Sequence, residues 1–181
     1  VWSQKPIEIP IGEWLVRSWT STDEVALAKY ANNRKLWLNL RDSFPYPYTR
    51  DDARAWLRHT RQHSTDLFLA IATRDEAIGG IGLHRKNDVY RMSAEIGYWL
   101  GEPFWGRGIA TRAVIAVTQY GFDHLSLLRI FAAVFAWNPA SARVLEKAGY
   151  TLEGRKRHGV VKDGQVIDEL MYSITREDWG R

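Results

Sequence analysis

The stretch GEPFWGRGIATRAV, Gly101–Val114, changes character halfway. Three glycines and a proline fall within its first eight residues, and from Ile109 onward it has the spacing of a helix. Gly106 and Gly108, with Arg107 between them, bring bare backbone up to that helix N-terminus. The first N–H groups of a helix have no partner within it, and they carry partial positive charge. Glycine has no Cβ to keep a ligand away. The turn therefore reads as an anion cradle, with Arg107 and Arg112 adding charge beside it; an ordinary glycine turn is the alternative. A Walker A loop is excluded, because Ile109-Ala110-Thr111 follows the last glycine where Lys-Ser/Thr is needed. A dinucleotide fingerprint is excluded by context, since the turn follows a run of strands late in the chain.

Working outward, SAEIGYWL (93–100) precedes the turn and reads as a strand. It closes an antiparallel meander with DLFLAIAT (66–73) and AIGGIGLHR (77–85). After the turn, Ile109, Ala113, Val117 and Tyr120 keep helical spacing to about His124. LRIFAAVFA (128–136) reads as a buried strand. NPASARVLEKAG reads as a helix with Pro139 in its first turn and Gly149 as its stop. YTLEGRKR and VIDELMYSI close the chain as two strands. Toward the N-terminus, EWLVRSW (13–19) alternates like a strand, and STDE (21–24) forms a capping box before the helix VALAKYANN. RKLWLNL is a short helix, and FPYPYT (44–49) is held extended by its prolines. Thr49 caps a helix over RDDARAWLRHTRQH (50–63), with acids first and bases last. The fold class is α/β, with a single mixed, largely antiparallel sheet flanked by helices.

Composition narrows the chemistry. The chain has 181 residues, 45% hydrophobic and 25% charged, enough for one domain with a sizeable core. It has no cysteine, so disulfides, thiolate metal sites and a cysteine nucleophile are excluded. No apolar run reaches the roughly 18 residues of a membrane span, and no secretory signal pattern is visible, so a cytoplasmic location without a membrane partner is expected. The net charge of +4 suits an anionic ligand or acidic partner. RKRH (155–158) is the densest basic cluster, too short a run to argue for nucleic acid.

The succession AEIGYWL, WGRGIAT, helix, strand, NPASARVLEKAGY resembles the GNAT superfamily of N-acetyltransferases. The resemblance is to the branch that includes the ribosomal-protein N-terminal acetyltransferases of RimJ/RimL type. FPYPYT resembles that branch's loop between the early helices and the sheet. Since the likeness covers nearly the whole chain, residues 1–181 are expected to form one GNAT-type domain. The family's cofactor loop, Gln/Arg-x-x-Gly-x-Gly/Ala, falls on Trp105, Gly106, Arg107, Gly108, Ile109 and Ala110, with Trp105 replacing the usual first residue. The resemblance implies that backbone N–H groups of 106–111, Thr111 included, hold the pyrophosphate of acetyl-CoA. It also implies that Tyr98, Trp99, Leu100 and Asn138 contact the pantetheine arm, and that no metal is used.

Acetyl transfer to an amine needs a neutral nucleophile, a stabilised thioester oxygen and a proton for the leaving thiolate. The resemblance implies direct attack in a ternary complex. Many members carry a tyrosine as acid in the helix after Asn138; Leu145 stands there. Ser141 matches the serine of the RimJ/RimL branch and is the donor candidate, with a helix-capping role as the alternative. Glu95, placed among apolar neighbours, is the base candidate, with a surface carboxylate as the alternative. Asp168 and Glu169 are second choices, and a water chain is a further option. Of the histidines, His84 after its strand stands out; His59, His63 and His124 read as helix surface, and His158 belongs to the basic cluster. Trp37, Asn39, Asp42, Phe44 and Tyr46 form the candidate acceptor wall, with a core-capping role as the alternative. The expected acceptor is a protein N-terminal amine. A polyamine, amino acid or aminoglycoside acceptor, and a non-catalytic acyl-CoA-binding module, are the alternatives. The chain is expected to be a monomer or homodimer.

Overall fold

A computed structural model describes residues 6–62 and 65–180. The strands are β1 (Glu8–Pro10), β2 (Leu15–Ser18), β3 (Leu67–Ala72), β4 (Ala77–Arg85), β5 (Ser93–Leu100), β6 (Arg129–Phe135), β7 (Thr151–Lys162) and β8 (Gln165–Thr175). They form one eight-stranded sheet in the order β1-β2-β3-β4-β5-β6-β8-β7. Every pairing is antiparallel except β5 with β6. The helices are α1 (Glu24–Ala31), α2 (Arg34–Trp37), α3 (Arg50–His59), α4 (Ile109–His124), α5 (Pro139–Lys147) and α6 (Arg176–Trp179). Helix α4 makes the long crossover that a parallel strand pair requires.

The sheet is covered on both faces. Ile109, Ala113 and Val117 of α4 pack with Ile81 and Leu83 of β4, as the helical spacing predicts. Gly121 of α4 is a close approach: a Cβ there would lie 2.8 Å from Leu83 Cδ1. On the other face Leu27 and Ala31 of α1 and Ala53 and Leu57 of α3 pack with Ala70 and Ala77. Strand alternation decides which residues meet which helices. Gly80, Gly82 and His84 of β4 stand opposite Trp99, Gly97 and Glu95 of β5, and this row faces α1 and α3. A Cβ at Gly80 would lie 2.6 Å from the Trp99 indole nitrogen, so this glycine makes room for the ring.

Several boundaries differ from the sequence reading: α1 ends at Ala31 rather than Asn33, and α2 at Trp37 rather than Leu40. The first capping box sits one residue earlier, on Thr20 and Asp23: Thr20 N–H donates to Asp23 Oδ2 at 2.8 Å, and a 3₁₀ turn over Ser21–Asp23 leads into α1. Asp23 decides this, because it is buried against Arg17, whose guanidinium donates to both carboxylate oxygens at 2.8 and 2.9 Å. Helix α3 stops at His59, where the Thr60 hydroxyl donates to the Leu57 carbonyl; His63 lies outside the described residues. The closing strands run longer than expected. Asp163 and Gly164 between them both take positive φ, 50° and 73°, the two-residue turn that matches strand twist. β1 and α6 were not expected.

Burial pushes the Asp23 carboxyl up, but the Arg17 guanidinium and the Thr20 N–H outweigh it and hold the group below its ordinary value. Such a group stabilises the fold above the unfolded carboxyl value and loses that contribution as pH falls. Arg17→Ala strands the buried carboxylate and is expected to cost roughly 2–3 kcal/mol in urea unfolding at pH 7. The difference from the wild type should shrink as the pH approaches 3. Equal stability of the two proteins at pH 7 would contradict the pairing.

Candidate active site

The parallel pairing of β5 and β6 covers Ser93–Arg129, Ala94–Ile130 and Glu95–Phe131, and then ends. β5 continues to Leu100 on β4, and β6 continues to Phe135 on β8. Between them lies a wedge lined by Ile96–Leu100 and Ala132–Phe135, part of a cavity of about 910 Å³. The same cavity reaches the glycine turn at one end and α3 at the other.

At the glycine end, Gly106 and Gly108 have φ of 75° and 74°, the left-handed region that disfavours a side chain. A Cβ at either would meet nothing within 4 Å, so both border open space. Gly108 is the N-cap of α4 and has no side chain to offer. The helical ladder starts with the Arg112 N–H on the Gly108 carbonyl at 3.1 Å. The N–H groups of Ile109, Ala110 and Thr111 thus open into the cavity end, and these residues line it. Trp105 lines it too and fixes the loop by donating from its indole to the Leu100 carbonyl at 2.6 Å. Arg107 and Arg112 do not line the cavity. Arg107 lies over the Phe104 ring, and the Arg112 guanidinium stacks on Trp14 beside Gly12.

Midway, Ser141 Oγ and the Tyr98 hydroxyl are 2.8 Å apart. Asn138 Oδ1 accepts the Ser141 N–H at 3.2 Å, so Asn138 caps α5 and the serine hydroxyl turns to the tyrosine instead. Burial pushes the Tyr98 phenol up to about 12, with the Ser141 bond opposing the shift. Leu145 is fully buried in the core.

The α3 end is aromatic. Phe44 meets Trp99 edge-on at 5.8 Å and Tyr48 at 5.0 Å. Trp56, His59, Phe68 and His84 form a chain of ring contacts at 5.2–5.5 Å. Glu95 is buried here, but not among apolar neighbours alone: one carboxylate oxygen takes the Arg41 guanidinium and the other takes Lys86 Nζ at 3.0 Å.

Residues 14–151 match the family described as the acetyltransferase (GNAT) domain. The chain belongs to the GNAT acetyltransferase family. It is 41% identical over 108 residues to the uncharacterized N-acetyltransferase YoaA of Bacillus subtilis, a match spanning 59% of this chain and 60% of that protein. It is 27% identical over 157 residues to the ribosomal protein uS5-alanine N-acetyltransferase of Escherichia coli, spanning 83% of this chain and 80% of that protein. Mycobacterium smegmatis RimJ, solved in complex with CoA-disulfide, shares the fold with a TM-score of 0.83 and 25% identity, over 98% of this chain and 88% of that one.

Within this GNAT domain the acceptor wall is only partly the one expected. Asn39 and Phe44 line the cavity; Trp37, Asp42 and Tyr46 do not. Tyr46 packs on Trp37, and the cage of ring and carboxylate is already filled by the chain's own Lys162. Its ammonium sits 3.7 Å from the Trp37 ring centre and 2.7 Å from Asp42 Oδ1. The cause is burial: Lys162 is 1% exposed at the end of β7, and a buried ammonium needs a counter-charge. Asp168 is taken by Arg155 and the His158 N–H, and Glu169, which lines the cavity, by Lys156. His124 stacks on Tyr120, at 4.5 Å. His59 is an exposed position on α3, as expected, and also borders the cavity; His84 lies within β4, inside the strand expected over 77–85. The signal for His59 was present: Asp52, Ala55, Trp56 and His59 share one face of α3 and all line the cavity. Arg41 had no signal, since its partners lie more than 40 residues away in sequence.

Removing Asp42 while keeping Lys162 should destabilise this domain more than removing the lysine charge itself. Asp42→Ala is expected to cost about 1–3 kcal/mol, and Lys162→Met less, because the apolar chain can still cover Trp37. Denaturant unfolding of the two variants checks the order; a more damaging Lys162→Met would contradict it.

Proposed function

We propose that the chain is an acetyl-CoA-dependent N-acetyltransferase acting on the α-amine of a protein N-terminus. The observation that carries this reading is the single cavity that joins a bare helix N-terminus, a Ser–Tyr pair at the strand gap and an aromatic wall. The first end fits a pyrophosphate, with open space at Gly106 and Gly108 and α4 N–H groups directed at it. Tyr98, Trp99, Leu100 and Asn138 border the route from there to the gap and would hold the pantetheine arm. Acetyl-CoA supplies the thioester. The Tyr98 hydroxyl lies between the Ser141 carbonyl, to which it donates at 3.2 Å, and Ser141 Oγ at 2.8 Å; when the phenol hydrogen turns to Oγ, the serine hydrogen is free to meet the departing sulfur. Glu95, engaged on both oxygens, fixes Arg41 on the acceptor-side wall.

The choice of a peptide amine over a polyamine rests on charge. A polyamine wants several free carboxylates. Here Glu95 is paired with Arg41 and Lys86, and Asp52 accepts from the Thr49 N–H at 2.7 Å. One amine beside apolar side chains suits Phe44, Tyr48, Trp56 and Phe68 better. An α-amine also titrates near 7.7–8.0, against about 10.4 for a lysine side chain, so much of it is neutral at working pH. The name of the Escherichia coli relative is in keeping with this acceptor class.

Incubation with acetyl-CoA and a panel of peptides, polyamines and aminoglycosides is expected to yield α-acetylated peptide by mass; acetylated spermidine without acetylated peptide would overturn the acceptor assignment. Gly108→Val, which adds bulk at a left-handed position facing the cavity, should weaken acetyl-CoA binding at least about tenfold in calorimetry while the chain stays folded. Ser141→Ala should lower kcat by roughly 100-fold with little change in acetyl-CoA affinity. A loss of thermal stability alone would assign Ser141 to the fold instead.

A further inference from the structure

We propose that His84, oriented by Asp66, is the catalytic base that takes the proton from the acceptor amine; this rests on the acetyltransferase reading. His84 lies on the row of β4 that faces α1 and α3, on the acceptor side of the wedge, and lines the cavity. Its Nδ1 is 3.2 Å from Asp66 Oδ2, and the other oxygen of Asp66 accepts the Arg85 N–H at 2.9 Å. The carboxylate is thereby fixed by backbone and accepts from Nδ1–H, which places the lone pair on Nε2. Nε2 points toward Gly97: a Cβ at Gly97 would meet that nitrogen alone, at 3.9 Å. Gly97 is among the first residues of β5 beyond the end of its pairing with β6, beside Tyr98. The free imidazole nitrogen therefore overlooks the place where an amine entering along the aromatic wall would meet a thioester.

The groups around the ring are Asp66 on Nδ1, Arg85 next along β4, Glu95 across on β5 with its partners Arg41 and Lys86, and His59 of α3 beyond Phe68. Glu95, the other carboxylate nearby, has both oxygens occupied by cations, whereas His84 Nε2 faces open cavity. The step balances simply. The nitrogen lone pair forms the N–C bond, the C–S bond breaks with its electrons going to sulfur, one proton passes from nitrogen to His84 Nε2 and on to solvent, and sulfur is protonated on the Ser141 side. Asp66 acts through His84 and is a positioning residue.

The test combines ring NMR with kinetics on the full chain. Long-range proton–nitrogen spectra at pH 8 should show His84 protonated on Nδ1, and Asp66→Asn should redistribute the tautomers. His84→Ala should lower kcat/KM for a peptide α-amine by roughly 100-fold, remove the acidic limb of its pH profile, and regain rate when imidazole is added. His59→Ala should keep that limb. An Nε2–H tautomer in the wild type, or a His84→Ala variant with unchanged rate and pH profile, would overturn the assignment. Loss of the acidic limb in Glu95→Gln but not in His84→Ala would move the base to Glu95. If the wild type transfers acetyl to no amine, the acetyltransferase reading falls and this assignment with it; if it does and His84→Ala keeps the wild-type rate and acidic limb, only this assignment falls.

Discussion

The parting of β5 from β6 after Glu95 and Phe131 is the constraint on which the remaining arrangement depends. A continuous sheet would seal the two faces from each other. Each strand instead keeps a partner on its outer side, β4 for β5 and β8 for β6, so the gap opens without leaving either strand unsupported. The wedge joins the α4 and α5 side of the sheet to the α1 and α3 side. Strand alternation then distributes the chemistry: Tyr98 goes to one side and meets Ser141, while Glu95, Gly97 and Trp99 go to the other and meet His84, Gly82 and Gly80.

This division explains why the site draws on small residues where a strand usually carries β-branched ones. Gly97 leaves open volume next to His84, and Gly80 admits the Trp99 ring. A Cβ at Gly82 would lie 2.5 Å from the Leu67 carbonyl, so there the glycine serves the packing of neighbouring strands. The cost of strand glycine is an entropic one. It is offset by the flanking buried residues Ile81, Leu83, Ile96 and Leu100.

Much of this organisation was legible in the sequence where local rules decide it. The glycine turn, α4 with its apolar stripe, the Asn138–Pro139 start of α5 and the three meander strands all follow from turn chemistry and periodicity, and each stands where expected. The Asp163–Gly164 turn is equally local, and its dipeptide is a hairpin signal that the reading of two shorter closing strands did not use. What local rules do not carry is pairing at long range. Trp37 and Asp42 form the kind of cage that suits a cation, but the cation that fills it is Lys162, 120 residues beyond Asp42. Arg41 and Lys86 meet on Glu95, and Tyr98 meets Ser141, only because the sheet brings them together. Single residues such as Ser141 could be singled out in advance, but their hydrogen-bond partners could not.

The most direct test of the central claim, that the strand gap is where cofactor and acceptor meet, is a crystal structure of the chain with coenzyme A. The account predicts the pyrophosphate on the N–H groups of residues 106–111, the pantetheine arm running through the gap beside Tyr98, and the sulfur within hydrogen-bond reach of Ser141 Oγ. Coenzyme A bound elsewhere, or bound with the gap between β5 and β6 closed and its sulfur remote from Ser141, would contradict it.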